Sequence, residues 1–540
     1  MLPRTWCLFA GLIFAFVAPL RAQIDIEVAV DLSAPRTPIS PLIFGFNHDL
    51  AGWQKATLRR WGGNSTETYN WVNNCSNSGN DYLQANSRWL ARHMPAARRG
   101  EPAAVLTAFH EESVRRGVPS IVTLPLMGYV AADDLGPVLP GEAPPSRRWK
   151  RVVLEKGAPL SDQPDPSLDT VYLDEEVAYL TRKFGPAEGP TGIRFWALGN
   201  EPGLWAETHP LAQREPMKCR EYVERAIAAA RVVKRIDPTA QVVGFTAFGI
   251  SEYARFHRAP DWETLRRERG YHWFVDYFLD EFARASAADG RRLLDVLALN
   301  YYGEDELERH GGLLGVMQSP RTLWDPGFRE ASWVGEVMAN FTPIIPRVRD
   351  SVARYYPDTK IGFTEYDFAL PDAYPGGVAM ADTLGIFIDQ GVFLAAAWPR
   401  VGHDLMTQAP ARYAVAAHRL YRDFDGRGGT FGDLLLTATS SDTASLSAHA
   451  SLDSRTGCVH LVLLGKTLHA TDNVTVTLKG AGTDFRKVRA WGFDGATPQL
   501  QELSSVESID GNRFVYTLPR QTSVHLVIEP APAVGGPGRE

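Results

Sequence analysis

Two glutamates each follow an apolar run in this sequence. The segment IRFWALGNEP ends its apolar run at Gly199, Asn200 and Glu201, and the segment KIGFTEYDF places Glu365 at the end of a second run. Such runs are typical of buried strands, and parallel α/β barrels carry their active sites at the carboxyl ends of their strands. Two carboxylates that face each other across a barrel mouth are the minimal equipment for glycoside hydrolysis, in which one protonates the leaving oxygen and the other meets the developing oxocarbenium ion. The distance between them, which decides whether configuration is retained or inverted, does not follow from the sequence.

The elements that must position these carboxylates repeat along the chain. Helix-like stretches and turns with Gly, Pro or Asp separate apolar runs that stop at polar residues. This order predicts an α/β fold, a (β/α)8 TIM barrel over residues 42–425, with Glu201 after its fourth strand and Glu365 after its seventh. The eight predicted strands are residues 42–47, 57–64, 119–127, 193–201, 241–248, 294–302, 360–366 and 392–399.

A second, all-β domain follows the barrel. After Gly426 the helical patterns stop, and apolar residues alternate with polar ones between turn signals, which predicts a β-sandwich over residues 426–530. The segment IDIEVAVDL within residues 23–41 has the same alternation and is predicted to join that sandwich. The Pro-rich interval 133–169 is predicted to be a long loop that forms a wall of the cleft, and residues 531–540 a disordered tail.

The amino terminus has the composition of a secretory signal. Within residues 1–22, Arg4 precedes an apolar segment shorter than the ~20 residues that span a bilayer, and the small residue Ala22 stands at the expected cleavage point. The mature protein is therefore predicted to be secreted, either extracellular or periplasmic, and not to be held in a membrane. A net charge of −7 without a concentrated basic run argues against nucleic acid or an anionic membrane as a partner.

The cysteines and metal-ligating residues give weak signals. After removal of the segment that contains Cys7, the mature chain keeps Cys75, Cys219 and Cys458, an odd and widely spaced set that permits one disulfide but does not indicate a disulfide scaffold or a cysteine metal site. The sequence has no HExxH motif, clustered histidines or EF-hand loop. We therefore expect that no cofactor is required.

Motifs spread along the chain resemble those of glycoside hydrolase family 44, a family of secreted endo-β-1,4-glucanases and xyloglucanases of the retaining barrel clan. The resemblance covers nearly all of the mature sequence, and several ordered motifs are far more specific than a lone NEP. The motifs are RRWGGNSTETYNW (59–71), ALGNEPGLWAETH (197–209), LDVLALNYY (294–302), PRTLWDPGF (320–328), FTEYDF (363–368), GGVAMADTLGIF (376–387) and YRDFDGRGGTFGD (421–433).

The resemblance implies roles for the residues at the two strand ends. Glu201 is expected to be the acid/base, with a pKa raised by a dry or carboxylate-facing setting, and Glu365 the nucleophile, kept ionised by donors. Asn200 is expected to bind the sugar 2-hydroxyl, a contact that strengthens in the transition state. Arg60 is a candidate donor to Glu365, with a structural ion pair inside the barrel as the alternative. Some members of the family bind calcium structurally, which permits a calcium ion here without assigning its ligands.

Alternation along a strand separates the side chains of the NYY segment. Asn300 and Tyr302 should share one face and Tyr301 the other, so that Tyr302 is the hydroxyl expected to contact Glu365. The family commonly has His where Asn300 stands. Since an amide can donate and accept hydrogen bonds but cannot titrate near neutrality, this difference bears on the pH optimum and on the exact contacts in the site rather than on the presence of catalysis.

Aromatic side chains supply candidate platforms for sugar rings. Trp398 ends the eighth predicted strand and is the first choice, while Asn64 begins a formal glycosylation sequon and is expected instead to support the cleft. Further tryptophans in or beside the motifs could extend the cleft, with core packing as the equal alternative for each: Trp61, Trp205, Trp324 and Trp333.

These observations favour a secreted, monomeric, retaining endo-β-1,4-glucanase acting on cellulose-type glucan or xyloglucan. A second hypothesis keeps the mechanism and changes the polysaccharide to mannan, xylan or mixed-linkage glucan. A third, from another class, is a catalytically silent polysaccharide-binding protein, against which the presence of both strand-end glutamates argues.

Overall fold

The computed structural model describes residues 23–47, 53, 55–304, 306–399 and 411–531. The predicted signal segment 1–22 and residues 532–540 of the predicted tail lie outside the described residues. Within the described ranges, no helix combines the length and the apolar character needed to cross a membrane.

Strands and helices alternate through the first four-fifths of the described chain, and strands alone follow. The strands are β1 (Gln23–Asp31), β2 (Thr37–Pro38), β3 (Gly45–Phe46), β4 (Arg59–Trp61), β5 (Ser76–Asn77), β6 (Ala85–Ser87), β7 (Ser120–Leu124), β8 (Tyr129–Ala131), β9 (Gly136–Pro137), β10 (Trp149–Val153), β11 (Thr170–Tyr172), β12 (Phe195–Leu198), β13 (Gln241–Ala247), β14 (Val296–Tyr302), β15 (Lys360–Asp367), β16 (Leu394–Ala397), β17 (Leu434–Ser440), β18 (Leu446–Leu452), β19 (Val459–Gly465), β20 (Thr471–Lys479), β21 (Phe485–Asp494), β22 (Gln501–Val506), β23 (Arg513–Leu518) and β24 (Thr522–Pro530). The α-helices are α1 (Asn64–Glu67), α2 (Ala104–Arg115), α3 (Leu173–Phe184), α4 (Trp205–Thr208), α5 (Cys219–Ile236), α6 (Ile250–Arg255), α7 (Trp262–Arg269), α8 (Phe274–Asp289), α9 (Gly312–Gln318), α10 (Trp333–Val337), α11 (Ile344–Tyr355), α12 (Tyr374–Asp389) and α13 (Arg412–Arg422).

Eight parallel strands close into a barrel. Their order is β12, β13, β14, β15, β16, β3, β4 and β7, which confirms all eight predicted barrel strands. A strand of a parallel barrel has no face in contact with solvent, and every residue of β12 is accordingly buried. Apolar side chains such as Ile121, Phe195 and Val296 fill one end of the barrel interior, so that polar side chains are left to gather at the carboxyl ends of the strands.

The second domain is the predicted sandwich, and it includes the amino-terminal strand. β1 pairs in parallel with β20 and antiparallel with β17 inside a ten-stranded sheet that surrounds its own apolar core. Burial alternates along β20 residue by residue, as a strand with one solvated face requires. Helix α12 contacts both β18 and β19 of this domain, and because it lies between barrel and sandwich nearly all of its side chains are buried.

The Pro-rich interval 133–169 is not the plain loop that its composition predicts. Within it, β9 pairs with β6 of the sheet β5–β6–β9, and β10 pairs with β8 and β11, so that the interval contributes strands to two small three-stranded sheets. The buried guanidinium of Arg148 stabilises the turn between them by donating to Asp133 at 2.7 Å and to Glu142 at 3.1 Å. Pairing with strands outside the interval supplies the order that its local sequence lacks.

The three cysteines of the described chain are free thiols. Cys75 and Cys219 are buried and Cys458 is partly exposed, and none is bridged to another. The one disulfide that the sequence permits is therefore not formed.

Candidate active site

Barrel strand β12 ends in the turn that carries Glu201. Gly199 has φ +81, a conformation that favours glycine, and a Cβ there would lie 3.2 Å from both Glu67 and Trp205. Glu201 itself adopts the left-handed conformation, with φ 47 and ψ 56. The turn directs the partly buried Glu201 side chain to the barrel mouth, where it meets Asn300.

Glu365 reaches the same mouth from β15. It pairs in register with Asn300 of β14, and the ladder is irregular just before this pair, since Leu299 pairs with Phe363 and Thr364 is passed over. A bulge of this kind redirects the side chains beside it. Glu365 is 5% exposed and accepts hydrogen bonds from Arg60 at 2.5 Å and from the Tyr302 hydroxyl at 2.6 Å. The contact with Tyr302 is the one that alternation along NYY predicts.

Arg60 connects three strand ends at the floor of the site. Its buried guanidinium donates from Nη1 to Glu365 and to Asn47 Oδ1 at 2.8 Å, and from Nη2 to Asn200 Oδ1 at 2.7 Å. The amide of Asn47 in turn donates to the carbonyl of Thr364 at 2.7 Å. Arg60 fits both alternatives, the donor to Glu365 and the structural ion pair, because its buried ion pair inside the barrel is the one in which it donates to Glu365.

The environment of Glu201 suits a proton donor. Burial, and after it the negative charge of Glu365, raise the pKa of Glu201 well above the usual range of a carboxyl. The amide of Asn300 opposes this rise by donating to Glu201 Oε1 at 3.0 Å, while Thr364 donates to Asn300 Oδ1 at 2.7 Å and so orients the amide. Glu201 therefore keeps its proton at a higher pH than usual, and it lies beside Glu365, which accepts hydrogen bonds from two strong donors.

The side-chain amide of Asn200 is oriented so that its NH2 group is left to donate to another molecule. Its Oδ1 accepts from Arg60 and, at 3.1 Å, from the backbone N–H of Gly63, and its buried Nδ2 has no hydrogen-bond partner among the described residues. A buried donor without a partner is costly and calls for an explanation, which a bound hydroxyl would supply.

Trp398 is the tryptophan placed at the mouth. It is partly exposed, and its ring lies over Gly63, where a Cβ would be 2.6 Å from the ring. Asn64, next to that glycine, donates its amide to Asp81 at 3.1 Å and so joins α1 to the short segment that follows β5. Both residues thus lie beside the strand ends, and the sugar platform at Trp398 stays a prediction.

Three tryptophans that were candidates for the cleft, with core packing as the equal alternative, lie elsewhere. Trp61 is 9% exposed and packs against Tyr69, and Trp205 is 1% exposed, with its indole N–H donating to the carbonyl of Asn200 at 2.8 Å. Trp324 lines a cavity of about 380 Å³ between α12 and the sandwich strands. These three are corrections, because each has found an apolar contact that sequence position does not reveal. Trp333 is 42% exposed on α10.

Sequence reasoning missed several polar residues that support the site. Asn47 ends the first predicted strand, so its position at a strand end was the available signal. Glu67 and Glu252 are buried carboxyls whose pKa burial raises to about 8, and both accept hydrogen bonds from backbone N–H groups of the active-site loops. Glu67 stands inside the RRWGGNSTETYNW motif, whereas no local pattern singles out Glu252. In the part of the chain that the structure describes, no three His, Cys, Asp or Glu side chains gather as a metal site.

Comparisons with known proteins find relatives along nearly the whole chain. The sequence model of glycoside hydrolase family 44 matches residues 75–305. Endoglucanase A of Paenibacillus lautus is 38% identical over 521 residues, which are 94% of this chain and 73% of that protein. The solved structure of a Paenibacillus polymyxa xyloglucanase from family 44, with xyloglucan, is 39% identical and superimposes with a TM-score of 0.89 over 94% of this chain and 100% of that chain. A beta-mannanase/endoglucanase A of Caldicellulosiruptor saccharolyticus is 36% identical over 92% of this chain and 38% of its own length.

Family membership follows from extended similarity rather than from one motif. The similarity covers 94% of this chain and therefore spans the barrel and the sandwich together, and the solved relative has an architecture of the same kind. The chain belongs to glycoside hydrolase family 44 and is a glycoside hydrolase.

Proposed function

We propose that the chain is a retaining β-1,4-glucanase that acts on cellulose-type glucan or xyloglucan by double displacement, with Glu201 as acid/base and Glu365 as nucleophile. The observation that carries this proposal is the contrast between the two carboxyls. The pKa of Glu201 is raised by burial and by the neighbouring charge, while Glu365 accepts hydrogen bonds from Arg60 and Tyr302. A proton donor and a carboxylate at one barrel mouth are the two groups that this reaction requires.

In the first step, Glu365 attacks the anomeric carbon while Glu201 protonates the departing glycosidic oxygen. Arg60 and Tyr302 each contact a different oxygen of Glu365, which orients the carboxylate and disperses its charge. The Nδ2 of Asn200 donates to the 2-hydroxyl of the reacting sugar, and Trp398 offers a ring face to a sugar ring.

In the second step, Glu201 takes a proton from the water that cleaves the glycosyl ester. Once Glu365 is esterified its negative charge is gone, and that charge is one cause of the raised pKa of Glu201. The pKa of Glu201 therefore falls in the intermediate, which suits the change from acid to base.

The choice of substrate rests on the relatives. One is a xyloglucanase solved with xyloglucan, and another is an endoglucanase. Mannan is the second candidate because a relative of 36% identity is a beta-mannanase/endoglucanase, of whose length this chain spans 38%. The test is reducing-sugar release from β-glucan, xyloglucan, mannan and xylan, with product sizes measured. Release from mannan alone would overturn the glucan assignment, and binding without release from any polymer would favour the silent binding protein.

The roles of the two glutamates have a matched pair of tests. Glu365→Gly with azide should form an α-glycosyl azide from an activated β-glycoside, and Glu201→Ala with azide should form the β-glycosyl azide, because azide replaces a different partner in each variant. Glu263→Gln, at a carboxylate 60% exposed on α7, should behave as the unmodified protein. If Glu365→Gly gave the β-glycosyl azide and Glu201→Ala the α-glycosyl azide, the roles of acid/base and nucleophile would have to be exchanged between the two glutamates.

We further propose that the chain is secreted after removal of residues 1–22, that it acts as a monomer and that catalysis needs no cofactor. Two carboxylates suffice for double displacement. EDTA should leave the initial rate unchanged, whereas a structural calcium ion would show as a lower unfolding temperature in EDTA. Loss of initial rate that calcium restores at once would contradict the cofactor-free mechanism.

A further inference from the structure

The turn that carries Glu201 is strained and therefore needs support. A residue other than glycine in the left-handed region costs about 1–3 kcal/mol and persists only where its surroundings determine it. Glu201 has φ 47, and it follows Gly199 at φ +81. Pro202 has no N–H to contribute, so the neighbouring residues must supply the contacts that hold the turn.

Groups from outside the turn form hydrogen bonds with most of the backbone N–H and C=O groups of the turn. The Glu201 N–H donates to the carbonyl of Thr246 at 3.1 Å, and the Thr246 hydroxyl donates to the carbonyl of Gly199 at 2.6 Å. The indole of Trp205 donates to the carbonyl of Asn200 at 2.8 Å. The two N–H groups that flank Glu201, those of Asn200 and Gly203, each donate to a buried carboxyl.

The first of these carboxyls is Glu67, at the end of α1. It is 1% exposed, and its Oε2 accepts from the N–H of Asn200 at 2.8 Å. Its Oε1 accepts from the N–H groups of Leu126 at 2.5 Å and Met127 at 2.6 Å. Glu67 thus joins the turn to the chain that leaves barrel strand β7.

The second carboxyl is Glu252, on α6. It is 0% exposed; Oε1 accepts from the N–H of Gly203 and Oε2 from that of Phe248, both at 2.8 Å. A Cβ on Gly203 would lie 2.9 Å from its carboxyl carbon, so the contact leaves no slack. Glu252 thus joins the other side of the turn to the chain that leaves β13.

We propose that Glu67 and Glu252 are positioning residues that clamp the turn from both sides and hold Glu201 where it can protonate the leaving oxygen. This inference rests on the proposed function. All the hydrogen bonds described for the two carboxyls come from backbone N–H groups, which both oxygens of a carboxyl can accept. A glutamine must instead direct its NH2 group at one of those N–H groups, because an amide nitrogen does not accept.

The test separates protonation from the rest of catalysis by varying the leaving group. A polysaccharide needs acid assistance, whereas a dinitrophenyl cellobioside releases a stable anion and hardly needs it. Glu67→Gln and Glu252→Gln should each lose about 10- to 100-fold in kcat/KM on the polysaccharide, since small displacements of a catalytic group have effects of that size. On the dinitrophenyl substrate both should stay within about threefold of the unmodified protein.

Glu176→Gln is the matched control. Glu176 is also buried, at 1% exposed, and burial also raises its pKa to about 8, but it belongs to α3 and Oε1 has no hydrogen-bond partner among the described residues. It should change neither rate more than about twofold. If the Gln variants do not fold, Trp205→Phe, which removes the indole N–H donor to Asn200 together with part of the buried ring, should show the same dependence on leaving group with about tenfold loss on the polysaccharide.

The outcomes distinguish this inference from the proposed function. Equal losses on both substrates, or no loss on either, would overturn the positioning roles while leaving the hydrolase intact. If Glu201→Gln itself lacked the dependence on leaving group, or the unmodified protein cleaved neither substrate, the proposed function would fail instead.

Discussion

A buried charge cluster joins the barrel to the sandwich, and removing one member should destabilise the whole protein. Asp382 of α12 is 1% exposed and lies 2.6 Å from Lys466 Nζ and 2.9 Å from His449 Nε2. The other nitrogen of His449 lies 2.7 Å from Asp389. Since the two aspartates belong to the barrel helix and the two cations to the sandwich, we predict that Lys466→Met weakens the contact between the domains.

The magnitude follows from the burial of the charges. Removing one partner of a buried ion pair typically costs about 3–5 kcal/mol, because the other charge stays buried without compensation. The side chain of Lys466 is 0% exposed, but Asp382 keeps His449 as a second partner, so we expect the lower end, about 3 kcal/mol. The double variant Asp382→Asn, Lys466→Met removes both charges and should recover part of that loss.

The same cluster makes stability depend on pH through His449. Its aspartate neighbours outweigh desolvation and raise its pKa from 6.5 to about 9. A raised pKa means that the folded state binds the proton more tightly, so this stabilisation is complete below about pH 6.5 and is lost as the pH rises through about 9. The shift corresponds to about 3 kcal/mol at most. Asp382, whose pKa is lowered mainly by Lys466 and His449 against desolvation, stays ionised across that window.

Urea unfolding followed by tryptophan fluorescence measures both effects. Lys466→Met should lower the free energy of unfolding at pH 6, and His449→Gln should lose most of its difference from the unmodified protein by pH 10. Lys487→Met is the control, because its ion pair with Glu507 at 3.0 Å is exposed and should contribute little. A Lys466→Met protein as stable as the control, or a double variant less stable than the single one, would refute this account of the cluster.

Three further predictions concern the active site. The basic limb of the pH–rate profile on polysaccharide should lie above the usual carboxyl range, because Glu201 must be protonated and its pKa is raised. Asn300→Ala removes a donor that lowers this pKa and should move the basic limb to higher pH, whereas a move to lower pH would contradict the contact between Asn300 and Glu201. Arg60→Lys should lower kcat/KM about 100-fold with the circular dichroism spectrum unchanged, since one ammonium cannot serve the positions of Nη1 and Nη2 together; full activity would show that its contact with Asn200 is dispensable. Trp398→Ala should raise KM for polysaccharide about tenfold and Trp398→Phe much less, and equal kinetics for the two would exclude a stacking role.

Much of the architecture was predictable because it is encoded locally. The period of apolar residues distinguishes strand from helix, and the order of the elements then admits few topologies, so the barrel and the sandwich with its amino-terminal strand could both be predicted. Strand ends mark the mouth of a parallel barrel, which is why Glu201 and Glu365 could be singled out. Alternation along β14 likewise predicted the contact between Tyr302 and Glu365.

The errors arose where side chains from distant segments meet. Trp61, Trp205 and Trp324 stand in motifs, yet Trp61 packs against Phe109, Trp205 is buried against Tyr222 and Trp324 lines an interdomain cavity. The interval 133–169 gained its strands by pairing outside itself. Burial and pairing of this kind depend on which segments converge, and local composition does not carry that information.

The sequence by itself determined that two carboxylates end opposite strands of one barrel, because period and order are properties of the chain. Only the tertiary structure decided how the polar groups around them are joined to one another. Arg60 contacts side chains from three strand ends, the Thr364 hydroxyl orients the amide of Asn300 toward Glu201, and two buried carboxyls accept from the backbone of the turn. The physical reason is that a hydrogen bond depends on distance and direction within a few tenths of an ångström, and such precision arises only when the whole fold brings its parts together.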